Sequence, residues 1–193
     1  MSLLEIISVL MSVLGVTLTI RRNIWCWPVN LVAYGLYAKL FYDYQLYGET
    51  ILQCVFIGLG LYGWWIWKAQ FKQQEQLAIN RIQGLRIIKH VFFTMCAGLI
   101  FGLGLDYFTD ASIPYLDAQL ASLSLLITYW TSKRYLEIWP AWIAVDIIYV
   151  MMFMYKDLYL TAGLYAAFTV LAFLGYLQWK KKYQVQQQTV YLI

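Results

Sequence analysis

The sequence predicts an all-α integral membrane protein with seven transmembrane helices, arranged as two parallel three-helix repeats with one further helix between them. Three observations predict this fold class. Hydrophobic residues make up 62% of the chain and charged residues 12%, whereas about 25% of a typical soluble chain is charged. Seven apolar segments are each about as long as a bilayer crossing requires. The chain also matches itself, without a gap, at a shift of 112 residues.

The internal repeat lays residues 12–68 over residues 124–180. Identities at turns and helix ends are the informative ones, because any two apolar segments share leucines by chance. The shift moves each predicted span by four, and an even shift preserves the direction of crossing, so the two triplets are predicted to be parallel repeats. The identical pairs include Arg22 and Arg134, Trp27 and Trp139, Pro28 and Pro140, Tyr37 and Tyr149, Phe41 and Phe153, Gly63 and Gly175, and Trp67 and Trp179.

The individual spans are separated by turn-forming or charged residues. The first lacks a preceding basic segment and a small-residue cleavage site, so it is expected to be retained rather than removed as a signal peptide. The connections after the second and sixth spans are very short, which makes the helices on either side antiparallel neighbours. The predicted spans are 3–20, 24–41, 47–67, 85–105, 114–131, 136–155 and 158–179.

The organisation that follows has four parts. Residues 1–67 form the first three-helix repeat, and residues 68–110 form a linker plus transmembrane helix 4. Residues 111–182 form the second repeat, and residues 183–193 form a cytoplasmic tail. The polar stretch 68–83 is expected to extend a helix between the repeats, and the Gln-rich tail is expected to be loosely ordered.

Basic residues predict the orientation in the membrane. Twelve of the fourteen lysines and arginines fall after spans one, three, five and seven, or within the first five residues of span four. Because cytoplasmic loops are enriched in these residues, the N-terminus is expected outside and the C-terminus in the cytoplasm. The other side holds only Lys39 and Lys156.

A candidate binding face lies on span six. Trp139, Trp142, Asp146 and Tyr149 recur at intervals of three and four residues, so they share one side of a helix. Two indoles, a carboxylate and a phenol suit a flat, aromatic, cationic ligand. The alternative is an aromatic packing stripe in which Asp146 bonds a neighbouring helix. A carboxylate within a span is costly, and this favours a binding site.

Spans two and three are expected to complete the chamber. Their polar and aromatic side chains lie at depths similar to that of the face on span six. Trp67, nearer the end of its span, is expected to anchor the membrane interface instead. The chamber residues on these spans are Asn30, Tyr34, Tyr37, Gln53 and Trp64.

Signals for an enzyme are weak. His90 is the only histidine, and no zinc-protease, serine-hydrolase or phosphate-loop motif is present. The three cysteines have no metal-binding spacing. We therefore expect no catalytic residue, no metal and no cofactor. The basic residues are spread over loops rather than gathered on one face, so no nucleic-acid partner is expected either.

Four short motifs resemble the PnuC family of bacterial vitamin transporters. They are Trp27-Pro-x-Asn30, Gln45-Leu-Tyr47, Tyr62-Gly-Trp64 and Glu137-x-Trp139-x-x-Trp142, in that order along residues 10–180. The resemblance implies a SWEET-like fold of parallel triplets in the bacterial inner (plasma) membrane. It also implies facilitated diffusion of a vitamin that a cytosolic kinase traps, and a homo-oligomer, a trimer by family resemblance.

Two residues depart from the family's nicotinamide riboside branch. Asp146 and Gly60 stand where that branch commonly has asparagine. A carboxylate pairs well with an aminopyrimidine and with a thiazolium cation, so thiamine, the substrate of the related PnuT branch, is the expected substrate. Nicotinamide riboside, also a cation, is the alternative. A membrane-embedded enzyme or receptor is the third hypothesis, against which the repeat and the lack of catalytic groups argue.

Overall fold

A computed structural model describes residues 3–43, 47–72, 78–109, 113–155, 157 and 159–190. Within these ranges the chain forms seven helices, as predicted, and one isolated bridge between Asn80 and Tyr135. The number of helices and most of their ends agree with the predicted spans. The helices are α1 (Leu3–Ile20), α2 (Cys26–Asp43), α3 (Tyr47–Lys72), α4 (Gly84–Phe108), α5 (Pro114–Ser132), α6 (Ile138–Tyr155) and α7 (Tyr159–Val190).

The prolines explain three of the helix starts. Pro114 opens α5, and Pro28 and Pro140 lie in the first turns of α2 and α6. Proline has no N–H to donate, and the first turn of a helix has no internal acceptor for those groups, so proline is tolerated there. The turns before α2 and α6 also match in backbone geometry, because Arg22 and Arg134 both have φ of 55°.

Helices α3 and α7 are longer than the predicted spans. The expectation of a loosely ordered tail is wrong as far as Val190, because α7 continues to that residue. Glutamine is a good helix former, and Gln186 is held from outside the helix. Its Oε1 accepts from the Ile79 N–H at 3.1 Å, and its Nε2 donates to the Ile79 carbonyl at 3.3 Å. Residues 191–193 lie outside the described ranges.

The predicted helical linker is correct only in its first part. Helix α3 enters it as far as Lys72, but residues 78–83 are not helical. This extended segment runs beside the α5–α6 turn instead. The Asn80 N–H donates to the Arg134 carbonyl at 3.0 Å, and the Leu136 N–H donates back to the Asn80 carbonyl at 2.9 Å. Residues 73–77 lie outside the described ranges.

Five of the seven helices are long and apolar enough to cross a membrane; α2 and α5 are the two that fall short. Helix α5 is less apolar because it lies inside the protein, in contact with α3, α4 and α6. Its enclosed face includes Ser124, Thr128 and Ser132, whose hydroxyls donate to carbonyls of the preceding turn. Membrane crossing by α2 and α5 therefore remains a prediction.

The helices form two groups of neighbours. Helix α2 packs between α1 and α3, and α6 packs between α5 and α7, while α4 lies against α5. The groups meet along two contacts, α3 with α5 and α1 with α7. The 112-residue shift converts one contact into the other, since it takes α3 to α7 and α1 to α5.

Two tryptophans close these contacts at matching positions. The Trp67 Nε1 donates to the Ser132 carbonyl at 3.1 Å, and the Trp179 Nε1 donates to the Ile20 carbonyl at 3.0 Å. We call these two hydrogen bonds the tryptophan seams. The carbonyls belong to the last residues of α5 and α1, whereas the tryptophans lie before the ends of α3 and α7. The seams therefore lie at one end of the molecule, where α1 and α5 end. Trp67 is fully buried, so its predicted position in the lipid interface is wrong.

A second tryptophan supports each seam. Trp27 meets Trp67 edge-on at 5.6 Å, and Trp139 meets Trp179 edge-on at 5.3 Å between ring centroids. Both rings occupy space left by a glycine. A Cβ at Gly175 would come within 2.5 Å of the Trp139 ring, so only glycine fits there without movement of the indole.

Candidate substrate site

The candidate residues on α2 and α6 form one repeated set. The group on α2 and the group on α6 each place polar and aromatic side chains on one helix face. The shift that defines the repeat pairs them position by position. The pairs are Asn30 with Trp142, Tyr34 with Asp146, and Tyr37 with Tyr149.

Asp146 is the charged member of this set. Its side chain is buried, at 4% exposure. Among the described residues no hydrogen bond or ion pair reaches its carboxylate, so it does not serve as a bonded link to a neighbouring helix. A carboxylate in such surroundings is stabilised by a cation that arrives with a ligand. Its counterpart in the first repeat, Tyr34, is neutral and stacks on Phe56 at 5.2 Å.

Aromatic rings surround the outer part of the α6 face. Tyr149 lies 4.6 Å from Tyr165 and 5.9 Å from Phe153, and Phe153 lies 5.2 Å from Tyr165, all between ring centroids. The first repeat has a simpler version, in which Tyr37 stacks on Phe41 at 5.8 Å. The second half of the site is therefore both the charged half and the more aromatic half.

Tyr165 is a further candidate for the site that the sequence analysis missed. It lies on α7, where no candidate was proposed, and it contacts Tyr149 directly. The repeat contained the necessary signal, because the 112-residue shift pairs Tyr165 with the predicted residue Gln53.

The amide residues of the first repeat occupy different surroundings. The Oε1 of Gln53 is buried and has no hydrogen-bond partner within the described part of the chain, so it is available as an acceptor. Asn30 lies against α1, where a Cβ at Gly15 would come within 1.9 Å of its Oδ1. Asn30 thus fills the space above a glycine and contributes to the contact between α1 and α2.

The three candidate tryptophans differ in position. Trp139 is almost fully buried, at 2% exposure, between Trp179 and Gly175. Its neighbours give it a packing position beside a tryptophan seam, so we do not retain it as a ring that flanks the ligand. Trp142 is partly buried and packs against the core. Trp64 lies beneath the Lys68 ammonium at 5.7 Å, nearer the seam end of α3.

Comparison with known proteins identifies the family. The family model described as "Nicotinamide mononucleotide transporter" matches residues 2–181. The nicotinamide riboside transporter PnuC of Escherichia coli K12 is 24% identical, over 93% of this chain and 85% of the relative. The riboflavin/roseoflavin transporter RibM of Streptomyces davaonensis is 23% identical, over 91% and 83%.

A solved structure agrees in fold. The crystal structure of the vitamin B3 transporter PnuC superposes with a TM-score of 0.74, covering 94% of this chain and 82% of that chain, at 20% sequence identity. The resemblance to PnuC proteins is thus confirmed over nearly the whole length. The chain belongs to the nicotinamide mononucleotide transporter family, and it is a membrane transporter rather than an enzyme.

Proposed function

We propose that this protein carries nicotinamide riboside across the bacterial plasma membrane. The Escherichia coli relative named for nicotinamide riboside is matched over 85% of its own length, whereas none of the relatives reported above is a thiamine transporter. The family evidence therefore favours nicotinamide riboside over thiamine, which the departures at Asp146 and Gly60 had favoured.

The observation that supports this substrate most is the buried carboxylate of Asp146 beside an aromatic cluster, with no polar partner in the part of the chain that the structure describes. Nicotinamide riboside has a permanently positive pyridinium ring. Its ring can stack on Trp142, Tyr149 and Tyr165, while the carboxylate balances its charge. Riboflavin is also large and aromatic, but it is uncharged and gives Asp146 no cation.

The two halves of the site differ in a way that gives the ligand one orientation. The α6–α7 half supplies the negative charge and most of the aromatic rings. The candidate site residues of the α2–α3 half are all uncharged, and Gln53 among them supplies an amide acceptor. We place the pyridinium against Asp146 and the ribose hydroxyls, which are donors, toward Gln53.

We further propose the predicted topology: two parallel triplets with α4 between them, a SWEET-like architecture, and the N-terminus outside. The tryptophan seams support it. They join the last residues of α5 and α1 to tryptophans in the C-terminal halves of α3 and α7, which favours a common direction for these four helices. Arg22, Lys133 and Lys180 lie at that end, so the positive-inside rule makes it cytoplasmic.

Transport is proposed to be uncoupled from ion gradients. Among the described residues Asp146 is the only fully buried carboxylate, and the absence of a second buried acid supports transport without a proton relay. The seams hold the cytoplasmic ends of the two triplets together, so release of substrate into the cytoplasm requires that they separate.

Ligand binding to the purified protein tests the substrate. Tryptophan fluorescence should be quenched by nicotinamide riboside with higher affinity than by thiamine or riboflavin. Tighter binding of thiamine would restore the thiamine hypothesis, and tighter binding of riboflavin would reject a role for Asp146 as the counter-charge.

A further inference from the structure

A polar cavity lies away from the candidate substrate site. Its volume is about 240 Å³. This is below the roughly 300–1,000 Å³ typical of pockets for drug-sized ligands, and suits a small charged group. The residues that line it are Arg81, Leu136, Glu137, Pro140, Tyr176, Lys180, Tyr183 and Gln184.

The cavity is outside the proposed transport path. Its lining comes from the start of α6, the end of α7 and the extended segment 78–83. It includes no residue of α1, α2 or α3, so it lies within the second triplet rather than between the triplets. It also lies at the seam end of the molecule, where most lysines and arginines are found.

The cavity has an excess of positive charge. The Arg81 Nε donates to one Glu137 oxygen at 2.9 Å, and the Ile82 N–H donates to the other at 3.2 Å. These bonds occupy Glu137 and fix the guanidinium, whose two terminal amino groups have no acceptor among the described residues. Lys180 lies 5.6 Å above the Tyr176 ring and forms no salt bridge in the described part of the chain.

Arg81 carries a positive charge. Its hydrogen bond to Glu137, reinforced by the charge of that carboxylate, raises the pKa of Arg81 further above its ordinary value. The guanidinium is therefore charged at any physiological pH.

The cavity breaks the symmetry of the repeat. In the first repeat Lys68 lies 5.7 Å above Trp64, as Lys180 lies above Tyr176. The position that matches Glu137 is Trp25, which is 64% exposed. Among the described residues, no backbone hydrogen bond joins an extended segment to the α1–α2 turn in the way that Asn80 joins residues 78–83 to the α5–α6 turn. Lys68 is therefore a lysine in equivalent surroundings without the cavity.

We propose that this cavity binds a phosphate ester, with Arg81 and Lys180 as its cationic ligands and the Tyr176 and Tyr183 hydroxyls as neutral donors. Guanidinium groups bind phosphate oxygens through paired hydrogen bonds. Tyrosines and lysines at the end of a membrane helix lie at the depth of lipid headgroups. The phosphate comes either from an anionic phospholipid or from a soluble phosphate ester, and the experiment separates the two.

The test compares three additions to the full-length protein in detergent: phosphatidylglycerol, phosphatidylcholine and inorganic phosphate. Native mass spectrometry counts bound lipid, and thermal unfolding reports stabilisation. Phosphatidylglycerol should bind about tenfold more tightly than phosphatidylcholine, because the choline cation of the latter offsets the charge of its phosphate next to Arg81 and Lys180. Stabilisation by inorganic phosphate as well assigns the site to soluble phosphate esters, and no such effect assigns it to the lipid.

Matched variants make the test specific. Lys180→Gln should lose about tenfold in affinity for the preferred phosphate compound, whereas Lys68→Gln should bind like the parent. Arg81→Gln should lose as much affinity as Lys180→Gln. Its unfolding temperature without lipid should equal that of the parent, which shows that the fold is intact. Equal losses in Lys180→Gln and Lys68→Gln, or no preference for any phosphate compound, would overturn the proposal.

Discussion

Replacement of Asp146 by asparagine removes one charge from the proposed site and almost no volume. The carboxylate is 4% exposed and has no partner among the described residues, so Asp146→Asn breaks no described contact within the protein. Close pairs of opposite charge at a binding site are coupled by about 1.5–7 kcal/mol, and the delocalised charge of the pyridinium ring belongs to the lower part of this range. We therefore expect the affinity for nicotinamide riboside to fall roughly ten- to hundredfold.

The ligand provides a second control for this prediction. Reduced nicotinamide riboside has nearly the same shape, but its ring is uncharged. Its affinity should change little in Asp146→Asn, because the lost interaction depends on the ring's charge. Titration calorimetry of the parent and the variant with both ligands measures the difference directly.

Asp106→Asn is the matched protein control. Asp106 is an exposed carboxylate at the far end of α4, where it accepts from the Tyr115 hydroxyl at 3.1 Å. This substitution also removes one negative charge, and it should leave both affinities unchanged. If Asp146→Asn binds nicotinamide riboside as tightly as the parent does, Asp146 is not the counter-charge and the proposed orientation is wrong.

Three further predictions concern stacking, packing and energetics. Trp142→Ala should weaken nicotinamide riboside binding about ten- to hundredfold, as measured by calorimetry, because a stacking ring is lost. Trp25, whose ring is 64% exposed, is the control. An equal loss of affinity in Trp25→Ala would contradict a specific stacking role for Trp142. Gly175→Ala should destabilise the protein by about 1–3 kcal/mol, because its Cβ would lie 2.5 Å from Trp139. In Gly163→Ala nothing lies within 4 Å of the added Cβ, so this variant should keep the unfolding temperature of the parent. If Gly163→Ala lowers the unfolding temperature more than Gly175→Ala does, the packing argument is wrong. Uptake into liposomes should be insensitive to ionophores that collapse proton or sodium gradients, and accumulation that these ionophores abolish would refute uncoupled transport.

The sequence predicts the helices well for a physical reason. A bilayer requires long apolar segments with internally bonded backbones, and such segments are visible in composition alone. The repeat also predicts that equivalent residues in the two halves make equivalent contacts. The structure shows this in the edge-on pairs of Trp27 with Trp67 and of Trp139 with Trp179.

What the sequence could not supply is the direction in which each side chain points. A tryptophan near the end of a span fits the lipid interface or a buried contact equally well, and Trp67 proved to be buried against the Ser132 carbonyl. Trp139 shares a helix face with Asp146 by spacing, yet the gap over Gly175 draws its ring into packing. The order of the Gln-rich end of α7 depends on a partner distant in sequence, since Gln186 bonds Ile79.

Uptake of nicotinamide riboside by proteoliposomes is the most direct test of the proposed function. With labelled substrate outside and identical buffers on both sides, the internal concentration should rise to the external value and stop there. Asp146→Asn should slow this uptake, and Asp106→Asn should not. If nicotinamide riboside fails to enter while thiamine or riboflavin equilibrates through the same protein, the proposed substrate is wrong.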